Sequence, residues 1–321
     1  MTSPIGIWEH ARYSVPRPEH GMCTDDNARA LILLLRQPEL SPALRDLAAI
    51  YMRFIEDAAL PGGGFHNRRH AAGSWADSVG SDDSQGRAIW ALGTVVGRAR
   101  EPAVQRSALD LFDRQRFRRP SPRANAFAVL GAVELLAAIP DHPYARSQIR
   151  TWVSAIKPRQ GRDWPWPESR LAYDNARFPE ALIAAGSVLE DEPMVSEAIR
   201  LLEWLVEIET QNHHFSFTPV GGWARGEVRP GFDQQPVEAA AMADVCARAW
   251  DITKSEIWRD QVVRAVGWFL GGNDLGTVLY DLDTGGGYDG LTPSGANMNQ
   301  GAESTIAALS TLQTAIALHP R

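Results

Sequence analysis

The sequence predicts an all-α fold, an (α/α)6 toroid of inner and outer helices built as a single domain over residues 1–321, and three observations carry that reading. Helical periodicity dominates, with no β-alternation of useful length. The helical segments fall into two compositional sets that alternate along the chain. The starts of one set repeat a theme of acids and amides.

One set is amphipathic, with apolar residues at three- and four-residue spacing and charges on the other side: 43–55, 103–112, 194–208 and 257–270, with 145–156 (ARSQIRTWVSAI) as a fifth. The other set is rich in Ala, Gly and Leu and nearly free of charge: 28–35, 86–97, 124–139, 176–186, 236–250 and 301–318. Helices apolar nearly all round are buried, so these six are read as inner helices. Five outer partners are visible; the twelfth helix is either the N-terminal segment or missing. The inner helices open on TDDNARAL, SDDSQGRAIWAL, RANAFAVL, YDNARFPEAL, FDQQPVEAAA and NQGAESTIAAL. Taking Asp26, Asp83, Asn125, Asn175, Gln235 and Gln300 as markers, the steps are 57, 42, 50, 60 and 65 residues. That spacing fits a repeated helical hairpin with insertions rather than a solenoid of fixed period. Connections from inner to outer helices are short, whereas those returning to inner helices are long. Long ordered loops on a rigid scaffold usually carry function, so the working face is expected where the inner helices begin.

Composition narrows the function. Against 32 basic residues stand 39 acidic ones, a net charge of −7, which argues against a nucleic-acid partner that would need a basic face. No apolar run approaches the ~20 residues of a membrane span, and the N-terminus lacks the pattern of a signal peptide. Cys23 and Cys246 form neither a disulfide framework nor a cysteine zinc site. The simplest reading is a soluble cytoplasmic protein. No HExxH, P-loop or GxGxxG pattern appears, so no metal and no cofactor are expected; the glycines 62–64 and 285–287 read as turns or close approaches.

The residues able to do chemistry lie at the inner-helix starts. Asp25–Asp26 and Asp82–Asp83 are paired acids. One of each pair is expected to cap its helix, leaving the second to project from the first turn. Carboxylates crowded on an apolar face acquire separated pKa values, the condition for one acting as acid and another as base. Glu238 and Glu303 lie in the first turns of nearly charge-free helices; the helix dipole favours them there, but burial against alanines is harder to explain structurally. Asp26, Asp83, Glu238 and Glu303 are therefore the candidate catalytic acids. Eleven Trp outnumber six Tyr, and Trp75, Trp164, Trp166 and Trp223 fall in polar, Gly/Pro-rich stretches. They read as stacking platforms for sugar rings, or as plugs between helices. Trp164, Trp166, Tyr173 and Asp174 converge before one inner helix. Asp25, Asp82, His20, His66, Gln235, Tyr288, Asp289 and Gln300 complete the expected substrate-binding set.

Taken together, HGMCTDDNARALI, GSDDSQGRAIWALG, WPWPESRLAYDNARFPEALIAAG, FDQQPVEAAA and YDGL…NQGAEST resemble a bacterial family of (α/α)6-barrel proteins often labelled glycosyltransferase or glycosidase. The resemblance runs from about His10 to the C-terminus. Members are fused to, or encoded beside, glycosyltransferase domains and neighbour mannoside phosphorylases, which implies a mannose-containing glycan and association with a glycosyltransferase. The resemblance carries no catalytic assignment. One departure is that the Trp loop reads Trp166-Pro167-Glu168, where the family leads one to expect a motif closer to WFE.

The expected activity is hydrolysis of an oligosaccharide, with Asp83 or Asp26 as base or nucleophile and Glu303 or Glu238 as acid. The alternatives are a phosphorylase using a basic pocket near Arg29, Arg87 or Arg177, a sugar 2-epimerase, and a non-catalytic glycan-binding module. An epimerase wants paired histidines on the inner helices, and these helices contain essentially none.

Overall fold

The computed structural model describes all residues except 116–120, 160, 162 and 319–321. Among the described residues the chain forms eleven α-helices: α1 (Thr24–Leu35), α2 (Pro42–Ala58), α3 (Asp82–Arg98), α4 (Pro102–Arg114), α5 (Pro122–Ala138), α6 (Pro143–Val153), α7 (Arg177–Leu189), α8 (Glu192–Ile208), α9 (Pro236–Thr253), α10 (Glu256–Phe269) and α11 (Ala302–Leu318). The six Ala-rich segments and the five amphipathic ones all appear as helices in the expected alternation. In place of a twelfth helix, the N-terminal segment makes short antiparallel ladders, Thr2–Ser3 with Gly6–Ile7 and Ala11–Arg12 with Val15–Pro16. The remaining strands are two or three residues long and lie in the connections.

Loop lengths follow the predicted asymmetry. The links α1–α2, α3–α4, α5–α6, α7–α8 and α9–α10 run 2–6 residues, whereas α2–α3, α6–α7, α8–α9 and α10–α11 run 23–32. The α4–α5 link lies largely outside the described residues.

Backbone packing gathers into two compact units: Met1–Ala11, Val15–Ile156 and Ser187–Glu190 form one, and Arg12–Ser14, Lys157–Gly186 and Asp191–Arg321 the other. In the first, α1, α3 and α5 pack side by side, with α2, α4 and α6 against them. Glycines set the α3–α5 approach. A Cβ at Gly97 would lie 2.6 Å from the Glu134 carbonyl oxygen, and one at Gly86, Gly93 or Gly131 would collide with backbone of the facing helix. The helices therefore meet backbone to backbone. Around this contact Ile89, Leu92, Phe127, Leu130 and Leu135 are completely or almost completely buried. In the second unit α9 packs on α10 and α11. Its many alanines permit the close approach, and Met242, Val245, Val262 and Trp268 lose all exposure.

Gly63 and Gly64 have φ of 89° and 88°, so they are turn glycines. Gly287 is one of close approach, because a Cβ there would strike the Ser304 carbonyl in the first turn of α11.

Candidate active site

In the first unit the paired acids sit at helix starts, but not as caps. Ser81 caps α3, its Oγ accepting the Ser84 N–H at 3.3 Å, and Ser121 caps α5 in the same way. At α1 the cap position falls on Cys23, which makes no side-chain cap bond. The capping expected of Asp25 or Asp26, and of Asp82 or Asp83, is thereby corrected: the preceding serine takes the duty at α3. At α1 the Thr24 N–H bonds to the Asn67 carbonyl at 2.9 Å instead. All four carboxylates are left in the first turn, where the helix dipole favours them.

Their surroundings differ. Asp26 is 3% exposed and accepts from the Cys23 thiol at 3.1 Å and from Arg29 at 3.3 Å. Burial, reinforced by the charges of Asp26 and Asp25, pushes the Cys23 thiol well above its ordinary pKa, so it stays a neutral donor. Asp25 lies 3.5 Å from the Nε of Arg87, whose buried guanidinium also covers the Phe127 ring at 3.9 Å. Asp82 accepts the Ser121 N–H at 2.8 Å and so ties the start of α3 to that of α5. Asp83 is half-buried in the first turn of α3.

The α2–α3 loop packs on the start of α1. Thr24 donates its hydroxyl to the His66 carbonyl at 2.7 Å. The His66 Nδ1 meets the carbonyl and carboxylate oxygens of Asp77 at 2.8 and 3.2 Å, while that carboxylate also accepts the N–H groups of Asn67 and Arg68. Trp75 stacks on His66 at 5.0 Å, meets Phe54 edge-on at 5.4 Å and lies under Arg69 at 5.2 Å. Its ring works as a plug. His20 is exposed and meets His10 edge to face.

In the second unit the turn before α7 is heavily bonded. Asp174 is fully buried with φ 50°, and its N–H donates to one Glu238 oxygen. The other Glu238 oxygen accepts the Asn175 N–H at 3.1 Å and its side-chain N–H at 3.4 Å. Glu238 is 3% exposed. Burial, with the nearby charges of Glu209 and Asp174, raises its pKa well above the glutamate range, and the two backbone donors hold it back. Its burial among alanines thus has a structural cause. Beside it Arg177 meets Asp174 at 3.3 Å, Glu180 at 2.5 Å and Asp244 at 2.8 Å. Glu180 and Asp244 are missing from the sequence-derived set. Their signal was the one that picked out Glu238, an acid inside an Ala-rich helix.

Trp164 and Trp166 are corrected from open platforms to core. Trp166 is 0% exposed, against Trp204 and Phe178, and Trp164 is 7% exposed, edge-on to Trp204 and Trp223. Rings buried to this degree have no open face to offer a sugar. Trp223 is half-buried and donates its indole N–H to the Glu227 carbonyl at 3.0 Å, while Tyr173 is 39% exposed. Gln235 occupies the α9 cap position without a side-chain cap bond. Its neighbour Gln234, fully buried, binds the Phe217 N–H and the Trp268 indole and is the structural amide of the pair. Gln300 is spent on Asp281 and Thr284, at 2.9 and 2.8 Å, and Asp289 on the Gly301 N–H at 2.8 Å. Tyr288 is half-buried; burial and the charge of Asp281 raise its pKa. Glu303, half-buried, stands in the first turn of α11.

Among the described residues no group of three His, Cys, Asp or Glu is arranged to hold a metal ion, and no helix is long and apolar enough to cross a membrane.

The structure is similar to that of a sugar epimerase from a ruminal bacterium, with a TM-score of 0.72 at 12% identity over 99% of this chain and 93% of that one. A cellobiose 2-epimerase from Spirochaeta thermophila matches with a TM-score of 0.69 at 15% identity, over 97% of this chain and 90% of that one. A GH76 α-mannanase from Bacteroides thetaiotaomicron gives 0.66 at 14% identity, over 93% and 87%. Likeness at these identities establishes the fold, and the chain has the (α/α)6-barrel fold of these proteins. No family model matches the sequence, and no curated protein matches it significantly.

Proposed function

We propose that this chain is a glycoside hydrolase acting on an oligosaccharide, with residues 1–321 working as its one domain and carboxylates as its acid and base. The observation that carries the reading is the freedom of the first-turn acids from capping. Ser81 and Ser121 cap α3 and α5, yet the chain places Asp25, Asp26, Asp82 and Asp83 in the first turns of α1 and α3. Two of them have evident structural partners in Arg87 and Ser121. Of the other two, Asp26 is buried beside Cys23 and Arg29, and Asp83 is half-buried. Asp83 or Asp26 is assigned the base or nucleophile role. Glu303 is the candidate acid to test, and Glu238 is reassigned to holding the Asp174–Asn175 turn. The mannan- and cellulose-directed names among the structural neighbours support a carbohydrate substrate, and the family resemblance puts mannose-containing glycans first, with a glycosyltransferase as the expected associate.

Phosphorolysis is disfavoured, because the three arginines that would hold phosphate each face carboxylate: Arg29 with Asp26, Arg87 with Asp25 and Arg177 with three acids. The second reading is a sugar epimerase or isomerase. Besides the neighbours of that description, the observation favouring it is the His66–Asp77 contact at 3.2 Å, which orients an imidazole as a base is oriented. The two readings separate on manno- and gluco-oligosaccharides incubated in D2O. Hydrolysis yields shorter chains with new reducing ends and no deuterium at carbon. Epimerisation yields chains of unchanged length carrying deuterium at C2. Loss of turnover in Asp83→Asn with folding intact supports the first reading, and retained turnover removes Asp83 from the mechanism.

A further inference from the structure

The turn between Ala11–Arg12 and Val15–Pro16 carries a tyrosine whose side chain the turn does not need. Tyr13 has φ 52°, a left-handed conformation that glycine, asparagine or aspartate adopts with least strain and that aromatic residues seldom occupy. Its backbone is pinned at both polar atoms: the N–H donates to Asn299 Oδ1 at 2.9 Å, and the carbonyl accepts the Gln300 N–H at 2.9 Å. The receiving segment is itself fixed, since the Gln300 side chain is held by Asp281 and Thr284 and the next N–H, of Gly301, by Asp289. Tyr13 is thereby anchored at the entrance to α11, within a few residues of Glu303.

Neither anchoring bond uses the side chain, and glycine or asparagine would make both without strain. What tyrosine adds is its ring. The residue is 60% exposed and, among the described residues, its hydroxyl and its ring faces make no hydrogen bond or ring contact. A large exposed aromatic held in a strained conformation by its surroundings is a recurring feature of ligand sites, and tyrosine offers contact area at low entropic cost.

We propose that Tyr13 is a substrate-contacting residue, its ring a platform for the apolar C–H face of a pyranose unit of the oligosaccharide. This rests on the carbohydrate reading above. It also relocates the stacking role, which the tryptophans buried in the α6–α7 loop cannot fill.

The test compares wild type, Tyr13→Gly and Tyr13→Phe by calorimetric titration with mannohexaose and cellohexaose and by thermal melting. Relief of the strain, less the added freedom of glycine in the unfolded chain, is expected to raise the melting temperature of Tyr13→Gly by about 1–2 °C, while its oligosaccharide affinity falls about tenfold, the scale of one lost aromatic contact. Tyr13→Phe is expected to bind as wild type does. Wild-type affinity in Tyr13→Gly overturns the proposal, and so does a fall in Tyr13→Phe equal to that in Tyr13→Gly, which would assign the role to the hydroxyl. Failure of the wild type itself to bind either sugar overturns the carbohydrate reading, and is told apart by being present before any substitution.

Discussion

Replacing Arg177 with methionine removes a guanidinium that meets Asp174, Glu180 and Asp244 together. The structure fixes the scale of the effect. Arg177 is 5% exposed, and its three partners are 0%, 1% and 7% exposed, so solvent cannot take its place. Methionine fills similar volume but withdraws the charge that three buried carboxylates share, while Arg248 stays 3.5 Å from Glu180. Removing one partner of a buried ion pair typically costs about 3–5 kcal/mol, which at a urea slope of about 3 kcal/mol/M lowers the unfolding midpoint by about 1–1.7 M. The sign of the pH dependence follows. Without Arg177 the carboxylates are desolvated and mutually repelling, so their folded-state pKa values lie above the unfolded ones. A group shifted in that direction contributes stability that is present at low pH and lost as pH rises through the folded value. The deficit of Arg177→Met against wild type should therefore be greatest at neutral pH and shrink on acidification toward pH ~5. Urea titrations followed by circular dichroism at both pH values measure it. A midpoint within about 0.3 M of wild type at neutral pH, well below the estimated cost, or a deficit that grows on acidification, would refute the reasoning.

Gly93→Ala is expected to destabilise the first unit by about 3 kcal/mol or more, because its Cβ meets backbone of Gly131 that no rotamer change can move; thermal melting measures it, and Gly267→Ala, which has open space around it, is the neutral control. Glu238→Gln carries no charge, and the raised pKa of the wild-type carboxyl means its contribution is lost as pH rises through the folded value. Wild type should accordingly lose more stability than Glu238→Gln between mildly acidic and alkaline pH, as read from melting temperatures. Asp83→Asn is expected to lower turnover at least ~100-fold, the lower bound for a removed acid–base group, while the far-ultraviolet circular dichroism spectrum stays unchanged.

The fold was legible because it is written in periodicity. Alanine- and glycine-rich helices alternating with amphipathic ones announce which helices are buried, and the α3–α5 glycines show why those helices are small-residue rich. The site was legible in position but not in detail. A first-turn aspartate looks the same in sequence whether it caps, pairs with an arginine or stays available; only Ser81, standing one residue earlier, decides it at α3. Likewise Trp166 sits in a Pro-rich stretch that reads as a loop, yet its burial depends on Trp204, a residue of α8. The Arg177 cluster joins Glu180 to Asp244, 64 positions away on another helix, and no local pattern links them. Tyr13 carries no signal in the sequence because its peculiarity is a backbone angle, which composition does not encode.

The central claim is that first-turn carboxylates of an (α/α)6 barrel hydrolyse a glycosidic bond. Its most direct test is incubation of the purified chain with mannohexaose and cellohexaose in H2(18)O, with products resolved by mass spectrometry. The account predicts shorter oligosaccharides, each new reducing end carrying one 18O atom, and none from Asp83→Asn. Hexasaccharide of unchanged length that has become a C2 epimer would contradict it.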